Sequence, residues 1–150
     1  MSDLRATGSI EVDAPASTIF DILADPRQHS VIDGSGTVRD SVSGPERLSL
    51  GAKFGMDMKM GAPYKIGNTV VEFEPDRLIA WRHKGLHRWR YELEPVAGNP
   101  GRTRVTETWD ASYYPTLLAL GLKAAGFPAR NQAGIDATLP KLKAEAERRA

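Results

Sequence analysis

With 150 residues, 20 Lys plus Arg against 19 Asp plus Glu, and no cysteine, the chain fits one domain of net charge +1. Balanced charge gives no electrostatic case for nucleic acid or an anionic membrane as partner, and the missing cysteines exclude disulfides, thiolate nucleophiles and zinc–thiolate sites. No run approaches the roughly 18 apolar residues of a membrane span, and Met1-Ser2-Asp3-Leu4-Arg5 lacks a signal-peptide pattern, so a cytoplasmic protein without integral membrane association is expected.

Ser9 to Asp13 alternates as a strand and stops at Ala14-Pro15. Pro15 suits the first turn of a helix, and Ile19, Phe20, Ile22 and Leu23 follow at helical spacing. Asp25-Pro26 restarts the chain into a second short helix through Gln28 and Val31, with His29 facing solvent. Asp33-Gly34-Ser35-Gly36 is a turn, and Thr37 to Ser43 reads as a strand of mixed polarity. Lys53 to Met60 alternates cleanly, with Phe54, Met56, Met58 and Met60 on one face. Tyr64 to Phe73, Leu78 to His83, His87 to Glu94 and Arg102 to Ala111 complete the strands, with Pro95 to Gly101 as a long turn. Thr116 to Ala125 is helix-compatible, ended by Gly126-Phe127-Pro128. Ala129 to Arg149 is an amphipathic helix that Pro140 should kink or split.

One face of the later strands is unusual. Ile79, Trp81 and His83, then His87, Trp89, Tyr91 and Leu93, then Val105, Glu107 and Trp109 share parity within each strand. A dry core favours Val, Ile and Leu, whereas this mixture suits contact with something partly polar. A three-residue loop at 84–86 sets Trp81 opposite Trp89 and Ile79 opposite Tyr91; a two-residue loop would put the two tryptophans on opposite faces. Arg82, Arg88 and Arg90 fall on the other face with Glu92 and Glu94 and read as a solvated surface.

Glu107 is the sharpest candidate, because a carboxylate among Val105 and Trp109 is costly unless paired. Desolvation would raise its pKa toward acid–base use; pairing with His83, His87 or an arginine would make it structural. The two histidines near one hairpin lack a third metal ligand, so no metal is expected. No serine lies in a nucleophile-elbow context, and Gly34-Ser35-Gly36 is too short for a phosphate loop.

The opening strand into Ala14-Pro15, the run Ile19-Phe20-Asp21-Ile22-Leu23-Ala24-Asp25-Pro26, Ile32-Asp33-Gly34-Ser35-Gly36, His87-Arg88-Trp89-Arg90-Tyr91-Glu92-Leu93-Glu94-Pro95 and Thr103-Arg104-Val105-Thr106-Glu107-Thr108 together resemble the helix-grip, or START-like SRPBCC, superfamily. The chain looks most like its small polyketide cyclase/dehydratase-type members. The resemblance implies an α+β helix-grip fold: a curved antiparallel seven-stranded sheet, two short helices after the first strand, and a long C-terminal helix across the concave face. It also implies an internal cavity, with 116–128 either a lid at its mouth or a dimer contact.

On that basis a hydrophobic, partly hydroxylated small molecule (lipid, polyketide or aromatic) is the expected partner, held without a cofactor by a monomer or homodimer. Met56, Met58, Tyr64 and Phe73 are expected to line its site, with Trp81, Trp89, Tyr91, Trp109 and Phe127. The alternative is a cofactor-free cyclase or dehydratase using Glu107 with His83 or His87 and Tyr91 as acid–base groups. A protein-interaction module working through the outer sheet face is a third reading, disfavoured by the lack of an exposed apolar strand pattern there.

Overall fold

The structure, a computed structural model, describes residues 4–34, 38–60, 62–82 and 85–150, with the side chains of 38–42, 56–60 and 62–66 outside that description. Strand β1 (Arg5–Val12) runs through Pro15 into helix α1 (Ala16–Leu23), whose Ile19, Phe20, Ile22 and Leu23 are all buried. Asp25 caps a 3-10 turn (Pro26–Gln28) by accepting from the Arg27 amide, and α2 (His29–Ile32) follows. The strands β2 (Val38–Ser43), β3 (Lys53–Met60), β4 (Ala62–Glu74), β5 (Leu78–Arg82), β6 (Arg88–Val96) and β7 (Asn99–Asp110) come next. Helices α3 (Thr116–Ala124) and α4 (Phe127–Arg149) end the chain.

The strands form one antiparallel seven-stranded sheet in the order β1-β7-β6-β5-β4-β3-β2. The expected hairpin register holds, with Trp81 opposite Trp89 and Ile79 opposite Tyr91. Trp89 in turn faces Trp109, and Tyr91 faces Glu107, so the mixed face is continuous across β5, β6 and β7. The turn expected over Pro95 to Gly101 is much shorter. Strand pairing reaches Val96 and Asn99, and Gly98 takes the positive φ of 76° that a tight turn demands.

Helix α4 packs on β1 and β7 through Ile135, Leu139 and Leu142, all buried. Two glycines set how closely it approaches. A Cβ on Gly8 would meet Ile135 Cγ2 at 2.9 Å. A Cβ on Gly34 would run into the α4 backbone at Ala137 and Thr138, and the Gly34 amide donates to Thr138 Oγ1 at 2.9 Å. Pro140 does not split the helix, which runs unbroken from Phe127 to Arg149. It lies on the exposed side with Asp136, whose carbonyl loses its helical donor. Helix α3 buries Ala119 yet leaves Leu117, Leu118 and Leu120 more than half exposed.

The outer sheet face is not simply solvated, which corrects the reading of Arg88 and Arg90. Arg90 bridges Glu72 at 2.8 Å and Asp110 at 3.1 Å, and Arg88 joins Glu72 at 2.9 Å while stacking over Tyr113. Arg90 and then Arg88 hold Glu72 below the usual carboxylate range. Burial opposes the Asp110 charge, but donors from Ser112 and Arg90 bring its pKa below normal. Glu72 and Asp110 thus both have charged partners.

Two outcomes follow. Gly34→Ala should cost about 2–3 kcal/mol, because the added methyl must push the α2–β2 connection off α4; chemical denaturation measures it. Arg90→Met should cost about 3 kcal/mol by leaving Asp110 and Glu72 short of a partner, and a matching loss is expected in urea midpoints at neutral pH.

Candidate functional site

Glu107 sits in mid-β7 on the concave face, 3% exposed, between Val105 and Trp109. Its Oε2 accepts a hydrogen bond from the Tyr91 hydroxyl across the β6–β7 pair at 2.9 Å. Its Oε1 is buried with no hydrogen-bond partner among the described residues. Burial pushes the carboxyl up to about 8, helped by the negative charge of Asp33 and opposed by the Tyr91 hydrogen bond. Burial, followed by the Glu107 charge, pushes the Tyr91 phenol well above its ordinary value. At neutral pH the pair is therefore a neutral phenol hydrogen-bonded to a neutral acid.

His29 corrects the solvent-facing expectation. It is 5% exposed and stacks on Trp81 at a centroid distance of 4.7 Å, with the Phe54 ring edge-on at 5.4 Å. Its Nε2 lies 2.9 Å from the Leu23 carbonyl, which can only accept, so Nε2 carries the proton. Desolvation lowers its pKa and keeps the ring neutral, which leaves Nδ1 as a buried acceptor without a partner among the described residues. Asn68 on β4 is a third case: 5% exposed, paired across strands with Phe54, and with an unpartnered Nδ2.

The expected site residues divide. Trp81 and Tyr91 meet at 5.7 Å, and Trp81 is also flanked by Phe54 and His29. Trp109 is buried and Trp89 half-buried on the same face. Phe73 instead packs edge-on against Phe20 of α1 at 5.4 Å, so it belongs to the core under α1. Phe127 begins α4, with Arg130 over its ring. His83 lies outside the described residues, as do the side chains of Met56, Met58 and Tyr64. His87 is not brought to Glu107. It precedes β6 by one residue, four residues from Tyr91 and so about 13 Å along the strand, and its Nδ1 pairs with the Tyr114 hydroxyl at 2.9 Å.

Sequence reasoning missed His29, Asn68 and Asp33. Asn68 shares strand parity with Val70, which faces the same side as Trp81, so its placement was readable. His29 lies three residues before the buried Ile32, the spacing of one helix face.

A seven-stranded antiparallel sheet with a long terminal helix packed across its concave side is a helix-grip fold. Residues 3–147 match the family described as polyketide cyclase / dehydrase and lipid transport, and the chain belongs to that family. It is 46% identical over 143 residues to the uncharacterized protein Rv0088 of Mycobacterium tuberculosis, covering 92% of this chain and 62% of that protein. The chain thus spans less than two thirds of that curated relative. Among solved structures it is similar to protein CV1439 of Chromobacterium violaceum, with a TM-score of 0.70, 16% identity and coverage of 96% of this chain and 98% of that one. It is also similar to an AHSA1-like protein of Aeromonas hydrophila, with a TM-score of 0.62, 18% identity and coverage of 95% and 93%. These likenesses are of fold. Among the described residues, no helix is long and apolar enough to cross a membrane.

The raised Glu107 pKa has a testable consequence. A carboxyl whose folded pKa exceeds its unfolded one contributes its full stability below the unfolded value, near 4.5, and loses it as pH rises through about 8. Glu107→Gln removes this titration. The stability of the variant relative to wild type should therefore climb between about pH 5 and 8, by up to about 4 kcal/mol. Parallel urea titrations across that range check it; a constant offset would contradict the buried acid.

Proposed function

We propose that the protein binds a hydrophobic, partly hydroxylated small molecule on the concave face of its sheet, beneath α4. The observation that carries this reading is the Glu107 carboxyl, buried at mid-strand with one oxygen held by Tyr91 and the other without a partner among the described residues. Burying such a group costs free energy that the fold does not recover by itself. Trp81, Trp89 and Trp109 supply apolar area around it, as a ligand-facing wall would. The family description, which includes lipid transport, agrees with a binding role.

Acid–base catalysis is a second reading, favoured by one feature of the same pair. A carboxyl that titrates near 8 is half-way to its conjugate base close to physiological pH, the condition that suits a general acid or base. Among the described residues the catalytic set is then Glu107 with Tyr91, since His87 is engaged with Tyr114, and His83 lies outside them. Under this reading Glu107→Gln abolishes turnover while ligand affinity survives; under the carrier reading the same substitution changes affinity alone.

Native mass spectrometry of the protein from its expression host, paired with titration of the neutral dye Nile red, tests the binding role. One equivalent of co-purified molecule or of dye is expected, with Trp89→Ala weakening dye binding at least about tenfold. Leu117→Ser and Leu118→Ser on exposed α3 should leave it unchanged. Absence of both ligand and dye binding would defeat the reading.

A further inference from the structure

Helix α3 presents to solvent what a surface helix ordinarily buries. Ala119 alone of its residues is buried, whereas Leu117 is 83% exposed and Leu118 and Leu120 are each 57% exposed. At about 100° per residue, Leu120, Ala124, Leu117, Gly121 and Leu118 fall on one arc of about 160°. That arc is wholly apolar. The surface continues at both ends of the helix. Half-buried Phe127 follows the Gly126 turn. At the other end the His87–Tyr114 hydrogen bond holds the hairpin tip, which brings exposed Leu86 near exposed Tyr113. Single exposed leucines are ordinary, but a contiguous apolar patch marks an interaction surface.

The charges around the patch point to its partner. The stretch from Ala111 to Ile135 holds no Asp or Glu, and its two cations, Lys123 and Arg130, are both exposed. Among the described residues neither joins an acidic side chain; Arg130 lies over the Phe127 ring at 4.9 Å. Elsewhere Arg90, Arg102 and Arg148 each bridge a carboxylate. Near-neutrality of the whole chain thus conceals a local cationic segment, which corrects the expectation of no attraction to an anionic membrane. We infer that α3 docks the protein on a lipid bilayer bearing anionic headgroups. Leu117, Leu118 and Leu120 enter the acyl boundary, and Lys123 and Arg130 meet the phosphates. A lysine on the flank of an apolar helix extends its charge to the headgroups while its neighbours are immersed. At nine residues, or about 14 Å, α3 lies in the interface and does not span it. A second copy of the chain fits the patch less well. A two-fold contact through α3 would set Lys123 and Arg130 of each copy against a segment without acids.

Docking goes beyond the binding role proposed above and does not depend on it. Co-sedimentation with vesicles of phosphatidylcholine, alone or with about one third phosphatidylglycerol, tests it. Wild type should bind the anionic vesicles at least about fivefold more tightly than the neutral ones, and high salt should erase that margin. Leu117→Ser combined with Leu118→Ser should weaken binding at least about tenfold. Lys123→Gln combined with Arg130→Gln should bring the two vesicle types within about twofold of each other. All four side chains are exposed, so both variants should keep the wild-type melting temperature, and lost folding cannot imitate lost docking. The chain has no cysteine, so Leu117→Cys can carry a single polarity-sensitive nitrobenzoxadiazole label. Its emission should brighten and shift to the blue on anionic vesicles. The same label on Ala97→Cys, in the turn at the far end of β6, should not respond. No vesicle binding by wild type, equal binding to both compositions, a silent label on Leu117→Cys, or a dimer in sedimentation velocity that the leucine substitutions abolish overturns the inference. Any of these leaves ligand uptake to be decided separately by co-purification and Nile red titration.

Discussion

The close seat of α4 on the sheet governs everything behind it. Ile135 and Leu139 approach β1 where Gly8 has no side chain to hold them off, and the α2–β2 connection touches α4 where Gly34 has none either. Lys141 adds a bond from its Nζ to the Asp33 carbonyl at 3.1 Å. These contacts bring the helix down over the concave face and draw Asp33 toward it. Water is thereby removed from Glu107, and an ordinary glutamate becomes an acid that titrates near 8. The chemistry of the site is thus a consequence of two absent side chains on neighbouring elements.

The two faces of the sheet solve the same electrostatic problem in opposite ways. Outside, Arg90 forks between Glu72 and Asp110, and Ser112 adds two short donors to Asp110, so these carboxylates stay ionised while mostly covered. Inside, Glu107 receives one phenol and Asp33 acts on it with the wrong sign. A chain that places arginines so effectively on one face could have placed one opposite Glu107. Trp89 and Trp109 fill the neighbouring inner positions instead. The inner arrangement leaves Glu107 uncharged, with one carboxyl oxygen unpartnered among the described residues, and local stability is lower for it.

Much of this was legible from residue order, and the rest had physical reasons to be hidden. Period-two alternation and the loop around Gly85 were sufficient for the register of Trp81 with Trp89, because a one-residue slip would send the aromatics to opposite faces. Glu107 stood out because a charge among inward-facing apolar residues has few cheap explanations. His29 did not, since which side of a four-residue helix is buried depends on where α1 and the sheet hold it. The Arg88–Glu72–Arg90–Asp110 network was misread as solvated surface because alternation labels an outer face without saying whether Tyr113 folds back over it. Pro140 leaves α4 unsplit, and both it and Asp136, whose carbonyl it orphans, lie on the exposed side of the helix.

The arrangement also bears on how a carrier and a catalyst differ here. Acid–base turnover needs a proton to leave one group and arrive at another within reach of the same substrate atom. Glu107 has Tyr91 beside it, but burial and the Glu107 charge raise the phenol so far that it stays a donor throughout the physiological range. His87, the natural relay, is held by Tyr114 at the strand end. His29 is neutral and has its one proton engaged with Leu23, so it serves as an acceptor beside Trp81, on the far side of Tyr91 from Glu107. The described groups therefore place a neutral carboxyl at Glu107 and a proton acceptor at His29, with the rings of Tyr91 and Trp81 between them. Two groups so placed serve a single-centre proton shuttle poorly, which supports the binding reading proposed above over the catalytic one.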